Sequence, residues 1–471
     1  MRGRRAELSR MRRRRSGTSC KSQLQFMMRV SAGRRDVCGQ SRSRSSLLKA
    51  LSWRPRLEST MHEQDHSTQS LIDLGKRYWV PVYKPRELVL DHGKGARVWD
   101  TAGEEYVDFG AGIAVNALGH QDADLLAALT TQALKLWHSS NVFYTEPPLR
   151  LAEELVRASH FAERVFLCNS GAEANEAAIK LVRRWAASKG RPPEQRVIVT
   201  FRGSFHGRTL ATVTATAQPK YQEGYEPLPG GFRYLDFNDV AALEAAFVEG
   251  GIAAVMLEPV QGEGGVLPAA PGFLKRIREL CDQYDALLVL DEIQCGMGRT
   301  GTLFAHTQDH VQPDIVTLAK ALGCGFPIGA MLAGPKVAEV LQYGAHGTTF
   351  GGNPMAAAVA RVALRKLASP AVLLNVERQA NDLRAGLARI NHELHLFAEV
   401  RGRGLMLGAV LNDAHKGKAG EILDHAAAHG LLLLQAGPDV LRFVPPLTIS
   451  DDDLAEGLRR LHAALTAYVA A

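Results

Sequence analysis

Lys320 follows a short apolar run and opens a glycine-rich turn that extends to Gly329. The run from Asp314 to Leu318 is rich in β-branched residues and comes after a Gln-Pro pair, which predicts a buried strand. Burial lowers the pKa of a lysine and leaves its amine free to attack an aldehyde. The alternative is that Lys320 is a solvent-exposed lysine at a strand end. The other motifs of the chain decide between a buried, reactive lysine and an exposed one.

Acidic residues follow a second apolar run, Leu287 to Leu290. A buried Asp291 would need a cationic partner, and a protonated ring nitrogen of a cofactor is one. An exposed acidic strand end is the alternative. Asp291 and Glu292 also suggest a metal site, but no histidine lies near them with ligand spacing.

The segment from Cys168 to Glu176 follows a predicted strand and opens a helix. Ser170 and Glu173 have the spacing of a capping box. Gly171 and Ala172 would leave their N–H groups open at a helix N-terminus, which suits a phosphate. A plain helix cap is the alternative. The phosphate-binding pattern GxxxxGK[ST] is absent from the sequence, which disfavours a P-loop NTPase.

Four further residues could contact ligands from loops or strand ends. Phe205 could stack on a planar group, and Arg208 could bind a carboxylate through two hydrogen bonds. Glu263 stands between glycines that permit close approach of a ligand. Arg442 could reach a cleft from a strand. Ordinary turns and solvated faces are the alternatives for all four. The Gly-rich loop with Thr348 and Thr349 could likewise supply phosphate donors or simply cap a helix.

Strands and helices alternate after residue 160, which predicts a mainly parallel sheet with helices on both faces. The predicted strands are 164–168, 197–201, 252–257, 286–290 and 314–318. The predicted helices are 122–136, 147–158, 171–187, 239–248 and 271–284. Nearer the N-terminus, strands at 88–90 and 96–100 are predicted to join at a turn containing Gly93 and Gly95, before a third at 106–109. Ligands of parallel sheets bind at the carboxyl ends of strands, where the polar residues above fall.

The chain has 471 residues, which is enough for two or more domains. We predict an N-terminal segment at 61–120, a large domain at 121–355 and a small C-terminal domain at 356–471. The six cysteines form no CxxC pair, which favours a reducing compartment. No apolar run approaches the ~18 residues of a membrane span.

Residues 1–60 are a separate basic segment with 17 Lys or Arg and three acidic residues. The rest of the chain has 39 basic and 46 acidic residues, so its charge gives no reason to expect nucleic-acid binding. Three interpretations of the segment remain open. It is a basic arm that binds nucleic acid, a mitochondrial transit peptide, or sequence that the native protein lacks because translation starts at Met61. We expect it to be disordered under each interpretation.

In their order and spacing, these motifs resemble the class III aminotransferases of fold type I, which depend on pyridoxal phosphate. The resemblance covers about Tyr78 to Val469. It implies an α/β fold with a mainly parallel seven-stranded sheet in the large domain, and a smaller α+β C-terminal domain. It also implies pyridoxal phosphate as the cofactor and a homodimer as the assembly.

The resemblance implies a role for each candidate residue. Lys320 would bond the cofactor covalently, Asp291 would meet its ring nitrogen, and Gln294 its ring hydroxyl. Phe205 and Ile293 would enclose the ring. The cofactor contacts would be completed by Ser170, Gly171 and Ala172 at the phosphate, by Glu292, and by Thr349 from the neighbouring subunit. Arg208 and Thr348 would bind distal substrate groups. Arg442 would bind the α-carboxylate of 2-oxoglutarate, and Glu263 would neutralise Arg442 when an ω-amine enters.

The implied reaction moves the ω-amino group of N-acetylornithine to 2-oxoglutarate, a step of arginine biosynthesis. Ornithine, succinylornithine, succinyl-diaminopimelate and 4-aminobutyrate are the alternative donors. We expect no nucleic-acid or membrane partner and a cytoplasmic enzyme, or a mitochondrial one if residues 1–60 are a transit peptide. A non-catalytic scaffold with an RNA-binding arm is the alternative, and the presence of both Lys320 and Asp291 argues against it.

Overall fold

The computed structural model describes residues 67–471. The predicted basic leader at 1–60 lies outside the described residues. The helices are α1 Thr68–Tyr78, α2 Ala111–Ala114, α3 Ala123–Ala133, α4 Glu146–Ser159, α5 Gly171–Ser188, α6 Leu210–Ala215, α7 Val240–Glu249, α8 Phe273–Gln283, α9 Pro354–Leu367, α10 Pro370–Leu394, α11 Ala419–Ala428 and α12 Asp451–Ala470. Within residues 67–471, no helix combines the length and apolar composition that crossing a membrane requires.

Within residues 67–471, the strands fall into three larger sheets and one short hairpin. They are β1 Leu90–Lys94, β2 Arg97–Asp100, β3 Glu105–Asp108, β4 Arg164–Cys168, β5 Val197–Phe201, β6 Phe232–Leu235, β7 Ile252–Leu257, β8 Val260–Gln261, β9 Leu267–Pro268, β10 Leu287–Asp291, β11 Ile315–Leu318, β12 Gly329–Ala333, β13 Phe397–Arg403, β14 Met406–Leu411, β15 Leu431–Leu432, β16 Leu434–Gln435 and β17 Val440–Phe443.

The central sheet has seven strands in the order β4-β12-β11-β10-β7-β5-β6. Only β12 runs antiparallel to its neighbours. Every residue of β7, β10 and β11 is buried, as expected for strands covered by helices on both faces. Alternate residues of β10 enter different cores, Leu288 on one face of the sheet and Val289 on the other. The predicted seven-stranded, mainly parallel sheet is therefore confirmed.

The C-terminal part is a four-stranded antiparallel sheet, β13-β14-β17-β16, accompanied by helices α10 to α12. This confirms the predicted α+β unit. Strand β17 carries Arg442, which pairs with Gly408 of β14. A Cβ at Gly408 would lie 2.9 Å from Cβ of Val266, which belongs to the turn between β8 and β9. Glycine at 408 therefore lets this turn pack on the sheet.

The N-terminal strands form a third sheet, β1-β2-β3-β15, whose last strand comes from residues 431–432 near the C-terminus. The predicted hairpin is shifted along the chain, because Gly93 belongs to strand β1 and the turn falls at Gly95. A Cβ at Gly93 would lie 2.7 Å from Cγ of His120. Glycine is therefore required there for close packing rather than for a turn.

Element α2 is a single turn of left-handed backbone. Ala111, Gly112, Ile113 and Ala114 have φ values of 43°, 62°, 64° and 61°. Residues other than glycine rarely adopt this left-handed backbone conformation, and a β-branched residue such as isoleucine does so least of all. Asp108 stabilises the entry to the turn by accepting hydrogen bonds from Gly110 N and Ala111 N. The strained turn leads directly into Val115, which lines the cavity described below.

Arg299 joins the loop after β10 to the C-terminal sheet. Its side chain is fully buried, and Nη1 donates to the carbonyl oxygens of Leu405 at 3.0 Å and Pro445 at 2.5 Å. Burial lowers the pKa of Arg299 to about 9. Pro445 follows β17 by two residues, so this joint fixes the end of the strand that carries Arg442.

Candidate active site

A cavity of about 350 Å³ opens at the carboxyl ends of the central strands. It is lined by Val115, Asn169, Ser170, Gly171, Ala172, Phe205, His206, Gly207, Arg208, Glu258, Asp291, Ile293, Gln294, Ala319, Lys320, Gly325, Phe326, Pro327 and Ile328. Nine of the predicted site residues are among them: Ser170, Gly171, Ala172, Phe205, Arg208, Asp291, Ile293, Gln294 and Lys320. Motifs far apart in the sequence therefore meet at one edge of the sheet, as the parallel topology requires.

Lys320 lies just beyond β11, with a positive φ of 39°. Burial lowers its pKa because the ammonium form is poorly solvated there, and the charge of Arg442 acts in the same direction. Glu263 opposes this effect, but the net shift is downward. The site thus holds a lysine that releases its proton more readily than one in water, on a backbone whose strain is typical of functional positions.

Asp291 ends β10 and is only 2% exposed. Its Oδ1 accepts a hydrogen bond from Ile293 N at 3.0 Å, and its Oδ2 lies 2.8 Å from His206 Nδ1. Burial opposes a charge on His206, but the hydrogen bond and the charge of Asp291 outweigh it and raise the pKa of His206. The Asp291 carboxylate is therefore held in a fixed position on the cavity wall.

Asn175 completes the support of Asp291, and its role was not predicted. It is fully buried on helix α5 and donates through Nδ2 to Asp291 Oδ2 and to the carbonyl of His206, both at 2.7 Å. Thr317 donates to its Oδ1 at 2.7 Å, which fixes the orientation of the amide. The signal in the sequence is an asparagine on the alanine-rich face of the helix that Ser170 caps.

The N-terminus of α5 forms another wall of the cavity. Ser170 caps the helix by accepting from Glu173 N at 3.2 Å. The first N–H groups of a helix have no acceptor within it, so those of Gly171 and Ala172 are available to an anion. A Cβ on Gly171 would lie 2.8 Å from Cδ1 of Ile293, so glycine lets the wall residue Ile293 pack at the helix start.

Phe205 and Arg208 line the cavity from the loop after β5. The ring of Tyr221 packs edge-on against Phe205, with centroids 6.1 Å apart. The Arg208 guanidinium lies 3.7 Å from the centroid of Tyr221 and 5.4 Å from that of Phe205. Tyr221, which was not predicted, thus holds a cation at the edge of the cavity.

Arg442 and Glu263 form an ion pair, with Nη1 donating to Oε1 at 2.5 Å. Arg442 is 2% exposed, and its Nη1 also donates to Gln294 Oε1 at 3.1 Å and to the carbonyl of Gly262 at 3.3 Å. Burial would raise the pKa of Glu263, but Arg442, Lys320 and Gln294 together lower it. Neither Arg442 nor Glu263 lines the cavity, whereas Gln294 does.

Glu258 is a second buried carboxylate on the cavity wall, and no role was predicted for it. Its Oε1 accepts from Phe205 N at 2.9 Å and its Oε2 from Gly262 N at 3.1 Å. Burial raises the pKa of Glu258 to about 7, since the favourable charge of His206 only partly offsets it. Glu258 therefore connects the loop that carries Phe205 to the turn that carries Glu263.

Besides Arg442 and Glu263, three predicted site residues do not line the cavity. Glu292 accepts from Ala305 N and His306 N and lies 2.7 Å from His306 Nδ1, so its carboxylate is turned from the cavity and stabilises the 305–309 turn. Adjacent residues of an extended segment point in opposite directions, which explains this orientation, and the expected contact of Glu292 with a cofactor stays a prediction. Thr348 accepts from Asn169 Nδ2 at 3.1 Å, and Thr349 is exposed, but neither lines the cavity of its own chain.

Comparison with known proteins decides the family. The sequence pattern described as "Aminotransferase class-III" matches residues 80–465. The chain is 75% identical over 393 residues to the acetylornithine aminotransferase of Xanthomonas campestris, covering 83% of this chain and 96% of that protein.

The chain belongs to the class III aminotransferases.

Two further members of the family are similar over most of their length. The succinylornithine transaminase of Yersinia enterocolitica is 52% identical over 387 residues, covering 81% of this chain and 93% of that protein. The crystal structure of N-acetylornithine aminotransferase from Stenotrophomonas maltophilia superposes with a TM-score of 0.76 at 65% identity, covering 85% of this chain and 99% of that one.

This class III aminotransferase is an enzyme that depends on pyridoxal phosphate, and the cavity fits that cofactor. It offers a fixed carboxylate at Asp291, an open helix N-terminus at Gly171 and Ala172, and a lysine with a lowered pKa. These are the groups that a pyridine nitrogen, a phosphate and an aldehyde require. Among residues 67–471, no group of three or more His, Cys, Asp or Glu side chains is arranged to hold a metal ion.

Proposed function

We propose that this chain transfers the ω-amino group of N-acetylornithine to 2-oxoglutarate, giving N-acetylglutamate semialdehyde and glutamate. This reaction is a step of arginine biosynthesis. The relative at 75% identity, named acetylornithine aminotransferase, supports the choice of amino donor. The observation that carries the proposal is the Arg442–Glu263 ion pair beside Lys320. An arginine that a neighbouring carboxylate can mask suits an enzyme whose two substrates differ in charge at one position.

The residues of the cavity take the following proposed roles toward the cofactor. Asp291 meets the pyridine nitrogen, Gln294 the ring hydroxyl, and Phe205 and Ile293 pack on the two faces of the ring. Ser170, Gly171 and Ala172 bind the phosphate at the N-terminus of α5. Lys320 holds the cofactor and moves a proton at the substrate carbon, for which a lowered pKa is suited.

When bound, pyridoxal phosphate supplies an aldehyde that takes up amino groups and a ring that withdraws electrons from the adjacent carbon. The protein supplies the orientation and the charges. The Asp291 carboxylate is fixed by its contacts with Ile293 N, His206 and Asn175, so it is placed to stabilise a protonated ring nitrogen that faces it. Burial of the surrounding side chains strengthens each of these electrostatic effects.

We propose that Arg208 and Thr348 bind the distal groups of the substrates. Arg208 lies on the cavity wall. In the first half-reaction Glu263 masks Arg442, so a donor with its ω-amine toward Lys320 meets no net charge there. In the second half-reaction Glu263 moves away, and Arg442 binds the α-carboxylate of 2-oxoglutarate.

We propose a homodimer in which Thr349 reaches the phosphate site of the neighbouring subunit. Large apolar side chains are exposed on the segment 134–144 and on the Thr349 loop: Leu134, Trp137, Val142, Phe143, Tyr144 and Phe350. Asn141 Nδ2 donates to the carbonyl of Gly351 at 3.0 Å, so the segment contacts the loop. A patch of this kind marks an interface, and a second copy of the chain would cover it.

We place the enzyme in the cytoplasm. Cys168, Cys281, Cys295 and Cys324 are free thiols in the structure, which fits a reducing compartment. Mitochondrial import would apply instead if residues 1–60 act as a transit peptide.

The test compares acetylornithine, succinylornithine, ornithine, succinyl-diaminopimelate and 4-aminobutyrate as amino donors to 2-oxoglutarate. We expect the highest kcat/KM for acetylornithine, with succinylornithine next, because a relative at 52% identity is named for that donor. A higher kcat/KM for free ornithine or 4-aminobutyrate would overturn the proposed donor. Light scattering on the same preparation tests the dimer, and an active monomer would contradict it.

A further inference from the structure

Gln294 connects the cavity to the Arg442–Glu263 ion pair. It lines the cavity, which Arg442 and Glu263 do not, and it accepts a hydrogen bond from Arg442. A carboxylate in the cavity that is directed toward Arg442 therefore also comes within reach of the Gln294 carboxamide. Neither sequence nor resemblance predicts this position, since Gln294 was expected to serve the cofactor alone.

The Gln294 carboxamide contacts both members of the pair. Its Oε1 accepts from Arg442 Nη1 at 3.1 Å, and its amide helps to lower the pKa of the Glu263 carboxyl, so the amide lies near that carboxylate. A glutamine has one carbonyl oxygen and two N–H donors. With the oxygen held by Arg442, the N–H donors remain for a carboxylate that takes the place of Glu263.

Gly262 fixes the place of this carboxamide. A Cβ at Gly262 would lie 2.4 Å from Cδ, Nε2 and Oε1 of Gln294, so only glycine lets the amide lie flat against the turn. Gly262 N is held by Glu258 at 3.1 Å, and the Gly262 carbonyl accepts from Arg442 at 3.3 Å. The carboxamide thus has a rigid support that does not depend on Glu263.

The geometry points to Gln294 as a specificity-determining residue for the 2-oxo acid, resting on the proposed function. Its oxygen keeps Arg442 in position when Glu263 leaves, and an amide N–H then donates to the α-carboxylate of 2-oxoglutarate. The carboxylate is then bound by Gln294 and Arg442 together. In the donor half-reaction, Glu263 stays on Arg442 and this position is closed to a carboxylate.

The test uses Gln294→Glu, Gln294→Met and Gly262→Ala in the cofactor-loaded enzyme. Binding of glutarate, a dicarboxylate that cannot be transaminated, is measured by calorimetry, and each half-reaction is followed in single turnovers. Gln294→Glu places a carboxylate permanently on Arg442, so we expect glutarate affinity and the 2-oxoglutarate half-reaction to fall about a hundredfold. Gln294→Met removes the amide N–H donor, and Gly262→Ala displaces it. For each variant we expect losses of about tenfold in glutarate affinity and in the 2-oxoglutarate half-reaction. In Gly262→Ala the acetylornithine half-reaction should fall less than the 2-oxoglutarate half-reaction, because only the second places a carboxylate at Arg442.

Two comparisons separate this role from a general effect on the site. Gln261→Met makes the same chemical change one residue before Gly262, at a buried side chain that donates to Arg202 O and lies outside the cavity wall. It should keep the glutarate affinity of the wild type. The double variant Glu263→Gln with Gln294→Glu keeps the total charge but moves the carboxylate to position 294, beside Arg442. This double variant should still bind glutarate poorly.

Unchanged glutarate affinity in Gln294→Met and Gly262→Ala would overturn the inference, as would equal losses in both half-reactions. If Gln294→Glu fails to fold, those two variants decide alone. A wild-type enzyme that does not react with 2-oxoglutarate would instead refute the proposed function, while its glutarate affinity would still report on Gln294.

Discussion

Asn175 donates a hydrogen bond of 2.7 Å to Asp291 Oδ2, across a separation of 116 residues in the sequence. The bond joins helix α5, whose N-terminus forms the anion site, to the strand end that carries the acidic wall. The two ends of the cavity are therefore held at a fixed separation by one buried amide.

Asn175→Ala should lower kcat about tenfold to a hundredfold while KM for both substrates changes by less than about threefold. The alanine leaves Asp291 without one buried donor, so the carboxylate is less firmly placed. Steady-state kinetics checks the result, with Thr317→Val as the control that removes only the hydroxyl orienting Asn175. A larger loss in the control than in Asn175→Ala would contradict the assigned role.

Lys320→Ala should reduce turnover by about 10⁴-fold or more, because the variant loses both the nucleophile and the base. Cofactor should still bind through the remaining contacts. Borohydride reduction followed by mass spectrometry should fix the cofactor on the Lys320 peptide of the wild type and leave the variant unmodified. Near-normal turnover in Lys320→Ala, or attachment at another lysine, would refute the assignment.

Asp291→Ala should leave the fold intact and slow both half-reactions at least a thousandfold, about 4 kcal/mol in the barrier. The reason is that a ring nitrogen facing alanine is no longer kept protonated. Single-turnover rates of each half-reaction provide the measurement, and the melting temperature shows whether the fold is retained. A loss smaller than about tenfold would assign Asp291 a structural role only.

Glu258→Gln should remove part of the pH dependence of stability. Folding raises the pKa of Glu258 from 4.5 to about 7, so the folded state favours the protonated carboxyl. The resulting stability is fully present below about pH 4.5 and is lost as the pH rises through about 7. We expect the free energy of unfolding of the wild type to fall roughly 3 kcal/mol more across this range than that of the variant. Urea denaturation of the cofactor-free proteins between pH 4.5 and 8 measures this difference, and parallel curves would contradict it.

Ile113→Gly should leave the melting temperature unchanged or raise it. Ile113 has a φ of 64° and is 43% exposed, so glycine relieves roughly 1–2 kcal/mol of backbone strain and loses little buried surface. The matched control is Leu126→Gly in helix α3, where the side chain is 58% exposed and the helical backbone loses about 1 kcal/mol. Equal destabilisation by both substitutions would show that the left-handed turn is unstrained.

The fold was largely predictable because its buried strands are continuous apolar runs. The runs that form β7, β10 and β11 stand out in the sequence, and each ends at a residue of the cavity or next to one. Strand β6 was not predicted because its four residues are only half-buried and form no continuous apolar run. The left-handed turn at Ala111 was also missed, since its small residues resemble an ordinary flexible loop.

The candidate site was predictable where a residue type alone suggests chemistry, as for Lys320, Asp291 and Arg442. It was not predictable where the role depends on a direction in space. Glu292 follows Asp291 directly but turns away to bind His306. Asn175 and Glu258 act through partners on other elements, and no spacing along the chain reveals those contacts.

Arg299 donates to the main-chain carbonyls of Leu405 and Pro445 and is shielded from solvent. Because no carboxylate takes part and no water reaches the group, dissolved ions have little to screen there. Exposed pairs such as Lys76 and Glu87, 2.6 Å apart, weaken as ionic strength rises. We therefore expect the anchor beyond the end of the strand that carries Arg442 to hold in dilute buffer and in concentrated salt alike.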